Sequence, residues 1–163
     1  VEPSQAEGLA DTTMAKTEEY PASERTSAPA RILIVEDNPL NRLLIHDILE
    51  LRGHDVIEAA TVDEARDVLA SERPDLMLLD VQIPGGGGEA VIRAVRQRPD
   101  LADIPMVAVT SLAMPGDRER LLGIGFSGYL SKPIDTRTFG AAIESYLKPA
   151  HGAEANRNVR RVG

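Results

Sequence analysis

The chain has no cysteine among its 163 residues, which excludes disulfides, thiolate metal sites and a cysteine nucleophile. Aromatic side chains number only five, and four of them (Phe126, Tyr129, Phe139, Tyr146) fall in one late stretch. Lysine is scarcer still, with Lys16, Lys132 and Lys148 set against fifteen arginines. Positive charge is in deficit overall, 18 basic residues against 26 acidic ones, for a net charge of −8. Phosphate backbones require a clustered basic surface, so nucleic acid is not an expected partner. No stretch approaches the roughly 18 to 20 unbroken apolar residues of a membrane span, and no basic-then-apolar leader opens the chain. The expectation is a soluble, cytoplasmic protein with no membrane partner.

Hydrophobic residues make up 42% and charged residues 27%, ordinary values for a globular domain. They are not spread evenly. Residues 1–30 carry only Val1, Leu9 and Met14 as large aliphatics, with six acids and two bases. Such a segment buries too little apolar surface to offset its ordering entropy and reads as a disordered acidic arm. Residues 148–163 are aperiodic, with a net charge of +3, and read as a flexible tail. The span 31–147, net charge −7, is then a single domain of ordinary size without internal repeats.

Within that span short aliphatic runs alternate with helical patterns. The runs are Ile32–Val35, Asp55–Ala59, Leu76–Leu79, Met106–Val109 and a segment around Tyr129–Leu130. Three are continuously apolar, as strands covered on both faces are. Asn38 is placed to cap a first helix with Pro39 at its first position, and Gly53 to stop it. Leu40, Leu44, Ile48 and Leu51 are its expected buried stripe. Thr61 and Glu64 have capping-box spacing for a second helix. Further helices are expected over Glu89–Arg98, Pro115–Gly123 and Asp135–Leu147. Five strands alternating with five helices imply right-handed crossovers, and hence an α/β, doubly wound parallel sheet. The flavodoxin-like (βα)5 order 2-1-3-4-5 is the economical arrangement, with function at the carboxyl ends of the strands.

Those ends carry a consistent set of groups. The first strand finishes in Glu36-Asp37, the third in Asp80, the fourth in Thr110-Ser111 and the fifth in Ser131-Lys132-Pro133. In the expected order these four strands are consecutive neighbours, so the groups converge. Three carboxylates in one concavity repel one another unless a cation joins them. A hard, oxygen-seeking cation such as Mg²⁺ suits them best. The hydroxyl and the ammonium complete a pocket for a phosphoryl group. A glycine-rich P-loop is absent, so this is not a standard P-loop nucleotide site. Lys132 is the one lysine of the 31–147 span, beside eleven arginines. That choice favours a compact point charge over a planar fork. His46 lies off the Leu40–Leu44–Ile48 stripe and reads as a surface residue, and it forms no metal spacing with His54 or His151.

Four segments in order carry a family resemblance: Ile34-Val35-Glu36-Asp37-Asn38, Leu79-Asp80-Val81-Gln82-Ile83-Pro84 with Gly88, Val109-Thr110, and Tyr129-Leu130-Ser131-Lys132-Pro133. The span resembles the receiver domain of two-component response regulators; within that family Glu36-Asp37-Asn38-Pro39-Leu40-Asn41, His46-Asp47-Ile48-Leu49-Glu50 and Ala113-Met114-Pro115-Gly116-Asp117 resemble single-domain regulators of the DivK type. The resemblance implies that Asp80 is the phosphoacceptor, charged by a sensor histidine kinase or a histidine phosphotransfer protein. It implies Mg²⁺ on Asp37, Asp80 and the Gln82 backbone carbonyl, with Glu36 acting through a water. Thr110 and Lys132 would hold phosphoryl oxygens, with Ser111 and Pro133 in support. Tyr129 would turn inward as Thr110 moves, altering the face built from the fourth helix, fifth strand and fifth helix. That face would meet a downstream protein effector or a second copy of the chain. Phe126, Phe139 and Tyr146 read as core residues. Gln82 and Leu112 occupy the positions that tune attack of water on the acyl phosphate. The first helix, through Leu40, Asn41 and Leu44, resembles the surface on which receivers dock kinase domains, although core packing accounts for both leucines equally well.

The chain departs from the family pattern in two places. Gly85-Gly86-Gly87-Gly88 follows Pro84 where one glycine is usual, which raises the entropy lost on ordering the loop beside the metal. Ser111 stands where alanine is common. Two other readings compete with a stand-alone receiver. One is a receiver detached from a hybrid histidine kinase. The other is an aspartyl-phosphate phosphatase, which typically uses an Asp-x-Asp pair that Asp80-Val81-Gln82 lacks.

Overall fold

The computed structural model describes residues 28–111 and 114–147. The readings of disorder for residues 1–30 and 148–163, apart from residues 28–30, lie outside the described residues, as does Leu112. The elements alternate without exception: β1 (Arg31–Val35), α1 (Pro39–Leu51), β2 (Asp55–Ala59), α2 (Val62–Ser71), β3 (Leu76–Asp80), α3 (Gly87–Arg96), β4 (Met106–Thr110), α4 (Asp117–Ile124), β5 (Gly128–Ser131) and α5 (Phe139–Glu144). The five strands form one parallel sheet in the order β2-β1-β3-β4-β5. None of the helices among the described residues is long and apolar enough to cross a membrane.

Alternation along each strand divides the core in two. Leu33, Val35, Met77, Leu79, Met106 and Ala108 face α2, α3 and α4. Ile32, Ile34, Leu76, Leu78, Val107 and Val109 face α1 and α5. The continuous apolar runs of β1, β3 and β4 are therefore what a strand covered on both faces needs. Phe126 and Phe139 are core residues as expected, while Tyr146 is half-buried against the α1/α5 cluster.

The capping signals hold. Asn38 accepts the N–H groups of Leu40 and Asn41 at 2.9 and 3.1 Å, and Thr61 accepts that of Glu64 at 3.1 Å. The boundaries of three helices move. The first turn of α3 takes in Gly87 and Gly88, two residues before Glu89, while α4 starts only after the left-handed Gly116. The last helix is shorter than expected at both ends, Phe139–Glu144, and is preceded by a turn in which the Asp135 side chain accepts the Arg137 N–H.

The buried face of α1 differs from the expected one. Ile45 and Leu49 are buried, whereas Leu40 is 75% and Leu51 53% exposed, with Leu43 and Leu44 also outward. The helix is apolar on two faces, about a third of a turn apart, and hydrophobic periodicity alone does not choose between them. The polar partners do. Arg42 and Arg52 share the face of Ile45 and Leu49 and find acceptors there. The Arg42 guanidinium donates to the Glu36 carbonyl at 2.9 Å. Arg52 makes a two-pronged bond to Glu144 of α5 at 2.7 and 2.8 Å, its stem lying across Gly140, where a Cβ would overlap it.

His54 completes this second contact. Its Nδ1 accepts the Ala30 N–H at 3.1 Å, so the ring proton sits on Nε2 and donates to Glu144 at 2.9 Å. The Glu144 carboxylate is almost fully buried and depends on both partners for its charge. Removing one member of a buried pair is far costlier than the pair's net worth. Glu144→Ala is expected to lower the unfolding free energy of the full chain by about 3 kcal/mol in urea denaturation; a loss below about 1 kcal/mol would show the clamp to be no stronger than a surface pair.

Candidate functional site

The groups named from the strand ends meet at the carboxyl end of the sheet. Glu36 and Asp37 leave β1, Asp80 is the last residue of β3 and Thr110 the last of β4, and Lys132 follows β5 directly. Adjacent pairing of β1, β3, β4 and β5 brings them together. Glu36 and Asp80 are 1% and 5% exposed and Thr110 is fully buried, while Asp37 lies at the open rim.

Lys132 joins the carboxylates. Its Nζ lies 2.7 Å from Glu36 Oε2 and 3.0 Å from Asp80 Oδ2. The other oxygens are held by backbone: Gln82 N–H donates to Asp80 Oδ1 at 2.9 Å, and Asn38 N–H to Glu36 Oε1 at 3.1 Å. Lys132 is itself fixed by its own N–H on the Thr110 carbonyl at 2.9 Å, and the Lys132–Pro133 peptide is cis. Ser111 Oγ donates to the Gln82 side-chain carbonyl at 2.9 Å across the rim. Tyr129 is half-buried and packs against the cluster that contains Phe126. Gly87 is left-handed, and a Cβ there would overlap the Val81 carbonyl, so this turn beside Asp80 requires glycine.

One oxygen each from Glu36, Asp37 and Asp80 falls within 4.8 Å of the others, a hard donor set suited to a divalent cation such as Mg²⁺. The Gln82 carbonyl is the neighbouring backbone candidate. Two further residues matter that the strand-end reading did not include. Arg42 anchors the Glu36 backbone and also lies 4.0 Å from Glu58, which in turn meets His46 at 3.2 Å. His46 is accordingly half-buried between Glu58 and Glu50, a correction to its reading as a plain surface residue. The signal for Arg42 was its place on the face of Ile45 and Leu49, legible only once that face is known to be the buried one.

Residues 32–144 match the response regulator receiver domain family. The chain belongs to that family. The polar-differentiation response regulator DivK of Brucella anthropi is 41% identical over 122 residues, covering 75% of this chain and 99% of that protein. Among solved structures, the receiver domain of a Pseudomonas aeruginosa sensor histidine kinase, with a magnesium ion coordinated in its active-site cleft, is 31% identical with a TM-score of 0.66; the match covers 73% of this chain and 98% of that one. The chemotaxis response regulator CheY4 of Vibrio cholerae is 26% identical with a TM-score of 0.70, over 74% and 100% of the two chains. The protein is thus a receiver of two-component signalling, and its sheet order is the flavodoxin-like one.

Electrostatics in the receiver's pocket pull in opposite directions. Burial raises the Glu36 carboxyl above its ordinary range, although the Lys132 and Asn38 hydrogen bonds work against it. Burial also opposes the charge on Lys132, but its bonds to Glu36 and Asp80 together outweigh that and raise the ammonium. A carboxyl raised on folding contributes fully below its unfolded value, about pH 4.3, and that contribution is lost as pH rises through the folded value. The Lys132 contribution stays in place throughout and is lost only above about pH 10.4. In EDTA, the chain is expected to lose stability relative to Glu36→Gln between about pH 4 and pH 7. Urea denaturation of both proteins at the two ends of that window checks this, and a gap that does not change with pH would refute it.

Proposed function

We propose that Asp80 accepts a phosphoryl group from a phosphohistidine on a sensor histidine kinase or histidine phosphotransfer protein, and that the chain relays the signal in the cytoplasm by protein contacts. The observation that carries this reading is the Lys132 ammonium shared between two buried carboxylates, one of them Asp80, beside the Thr110 strand end. In the transfer an Asp80 oxygen bonds to phosphorus, the P–N bond to the donor imidazole breaks, and its electron pair returns to that nitrogen. Lys132 then pairs with a phosphoryl oxygen, and the Thr110 hydroxyl donates to another. Glu36, Asp37, Asp80 and the Gln82 carbonyl are the residues that would hold Mg²⁺. Bound there, the cation offsets the repulsion between an anionic phosphoryl group and an anionic nucleophile.

The response follows from the neighbours of Thr110. As its hydroxyl moves to the phosphoryl group, Tyr129 turns inward and the α4-β5-α5 face changes shape for a protein effector or a second copy of the chain. Gln82 and Leu112 set how fast water removes the phosphoryl group, returning Asp80 to a carboxylate. The outward leucines of α1 give the donor a landing surface beside the pocket, since Leu40 and Leu44 stand on the first turns after Asp37. Receivers of histidine kinases among the similar structures favour a second setting, a receiver within a hybrid kinase, with the same chemistry on Asp80.

Incubation with acetyl phosphate and Mg²⁺ is expected to add one phosphoryl mass to the chain and none to Asp80→Asn. A gain that survives Asp80→Asn would sink the assignment. Leu44→Asp is expected to slow phosphotransfer from a histidine-bearing donor domain by about tenfold while leaving labelling by acetyl phosphate unchanged. Equal slowing of both would place Leu44 in the fold rather than in docking.

A further inference from the structure

We propose that Ser111 is a positioning residue for the pocket's divalent cation, acting through Gln82; this rests on the reading of Glu36, Asp37, Asp80 and the Gln82 carbonyl as the metal's holders. Gln82 is held to the phosphoryl site by its own N–H, which donates to Asp80 Oδ1 at 2.9 Å. Gln82 opens the β3–α3 loop, in which the buried Ile83 is followed two residues later by a run of glycines. Gly85, Gly86 and Gly87 follow in succession with φ of +92°, +104° and +69°. Glycine loses more conformational freedom on ordering than any other residue, so this run holds a neighbouring carbonyl in place less firmly than side-chain-bearing residues would. The bond that closes the loop, Gly88 N–H to the Val81 carbonyl, is long at 3.3 Å.

The tether comes from the opposite side of the pocket. Ser111 follows the last residue of β4, whose carbonyl is held by the Lys132 N–H at 2.9 Å, so its hydroxyl rides on the end of the sheet. That hydroxyl donates to Gln82 Oε1 at 2.9 Å. The bond therefore transfers the order of a central strand to the residue whose carbonyl would help hold the metal. The two departures from the family pattern, the glycine run and the serine, stand across one rim from each other, one loosening the loop and the other fastening it. Ser111 touches neither phosphoryl group nor metal in this arrangement, and its effect runs wholly through Gln82.

Mg²⁺ titrated calorimetrically into the full chain tests this. Ser111→Ala and Gln82→Ala are each expected to weaken Mg²⁺ binding about two- to tenfold, the net worth of one hydrogen bond. The double variant is expected to be no weaker than either single one, because both remove the same bond. Ser111→Thr keeps the hydroxyl and is expected to restore affinity to within about twofold of the wild type. In the metal-free chain, amide hydrogen exchange at residues 82–87 should quicken in Ser111→Ala and not in Ser111→Thr. Asp37→Asn serves as the control on the metal reading. If Asp37→Asn abolishes Mg²⁺ binding while Ser111→Ala binds as the wild type does, the tether is overturned and the metal site stands. If Mg²⁺ does not bind the wild type, or binds Asp37→Asn unchanged, the metal reading falls and the tether with it. Additive losses in the double variant, or no rescue by threonine, also overturn the proposal.

Discussion

The Lys132 ammonium, 2.7 Å from Glu36 and 3.0 Å from Asp80, lets two buried carboxylates occupy the same end of the sheet. Charge repulsion grows as the surroundings become less polar, and both acids are nearly sealed from water. With no cation between them, one would take up a proton or the strand ends would part. Lys132 holds them together while remaining exchangeable. A primary ammonium on a flexible stem can leave one oxygen for another, whereas a guanidinium locked in a fork cannot do so without breaking several bonds. The remaining basic side chains of the fold show the contrast. Arg96 spans the carbonyls of Ala102, Ile104 and Gly125, and Arg98 grips the Leu69 carbonyl together with Asp100. Arginine staples loops here, and the one described lysine sits where charge has to move.

The parallel sheet makes that placement possible and explains why so much of it could be read in advance. A strand buried on both faces has to be continuously apolar, so the polar residue that ends each run is conspicuous. Glu36, Asp80 and Thr110 stand out that way and Lys132 as the one lysine of the span, and the order 2-1-3-4-5 then requires them to meet. Caps at Asn38 and Thr61 were legible for a similar reason, since a side chain bonding two or three residues ahead is a local matter.

What was not legible depended on partners far along the chain. The buried face of α1 was decided by acceptors for Arg42 and Arg52, and the second of these, Glu144, lies 92 residues from Arg52. No pattern within the helix marks Ile45 and Leu49 over Leu40 and Leu44, because both pairs are apolar and suitably spaced. His54 was passed over for the same reason. Its role appears only when Ala30 and Glu144, from opposite ends of the domain, close on its two ring nitrogens.

These long-range contacts make the pocket's surroundings unequal. On one side α1 is pinned near both ends, by Arg42 on the Glu36 carbonyl and by Arg52 on Glu144, so its distance from the acids is set by two arginine clamps. On the other side the β3–α3 loop runs through consecutive left-handed glycines and leans on the sheet through Ser111. In the proposed transfer a donor would have to align its phosphorus with one carboxylate oxygen, and that favours a rigid surface beside the acids. A phosphoryl group arriving on Asp80, as proposed, would bring negative charge and bulk that the walls would have to accommodate, which favours a loop with low intrinsic order. Holding α1 fast with two arginines, and the glycine loop by the buried Ile83 and the Ser111–Gln82 bond, satisfies both demands within one pocket. It also explains why the leucines of α1 can face water: the helix draws its position from its buried arginines and does not need that ridge for its own packing.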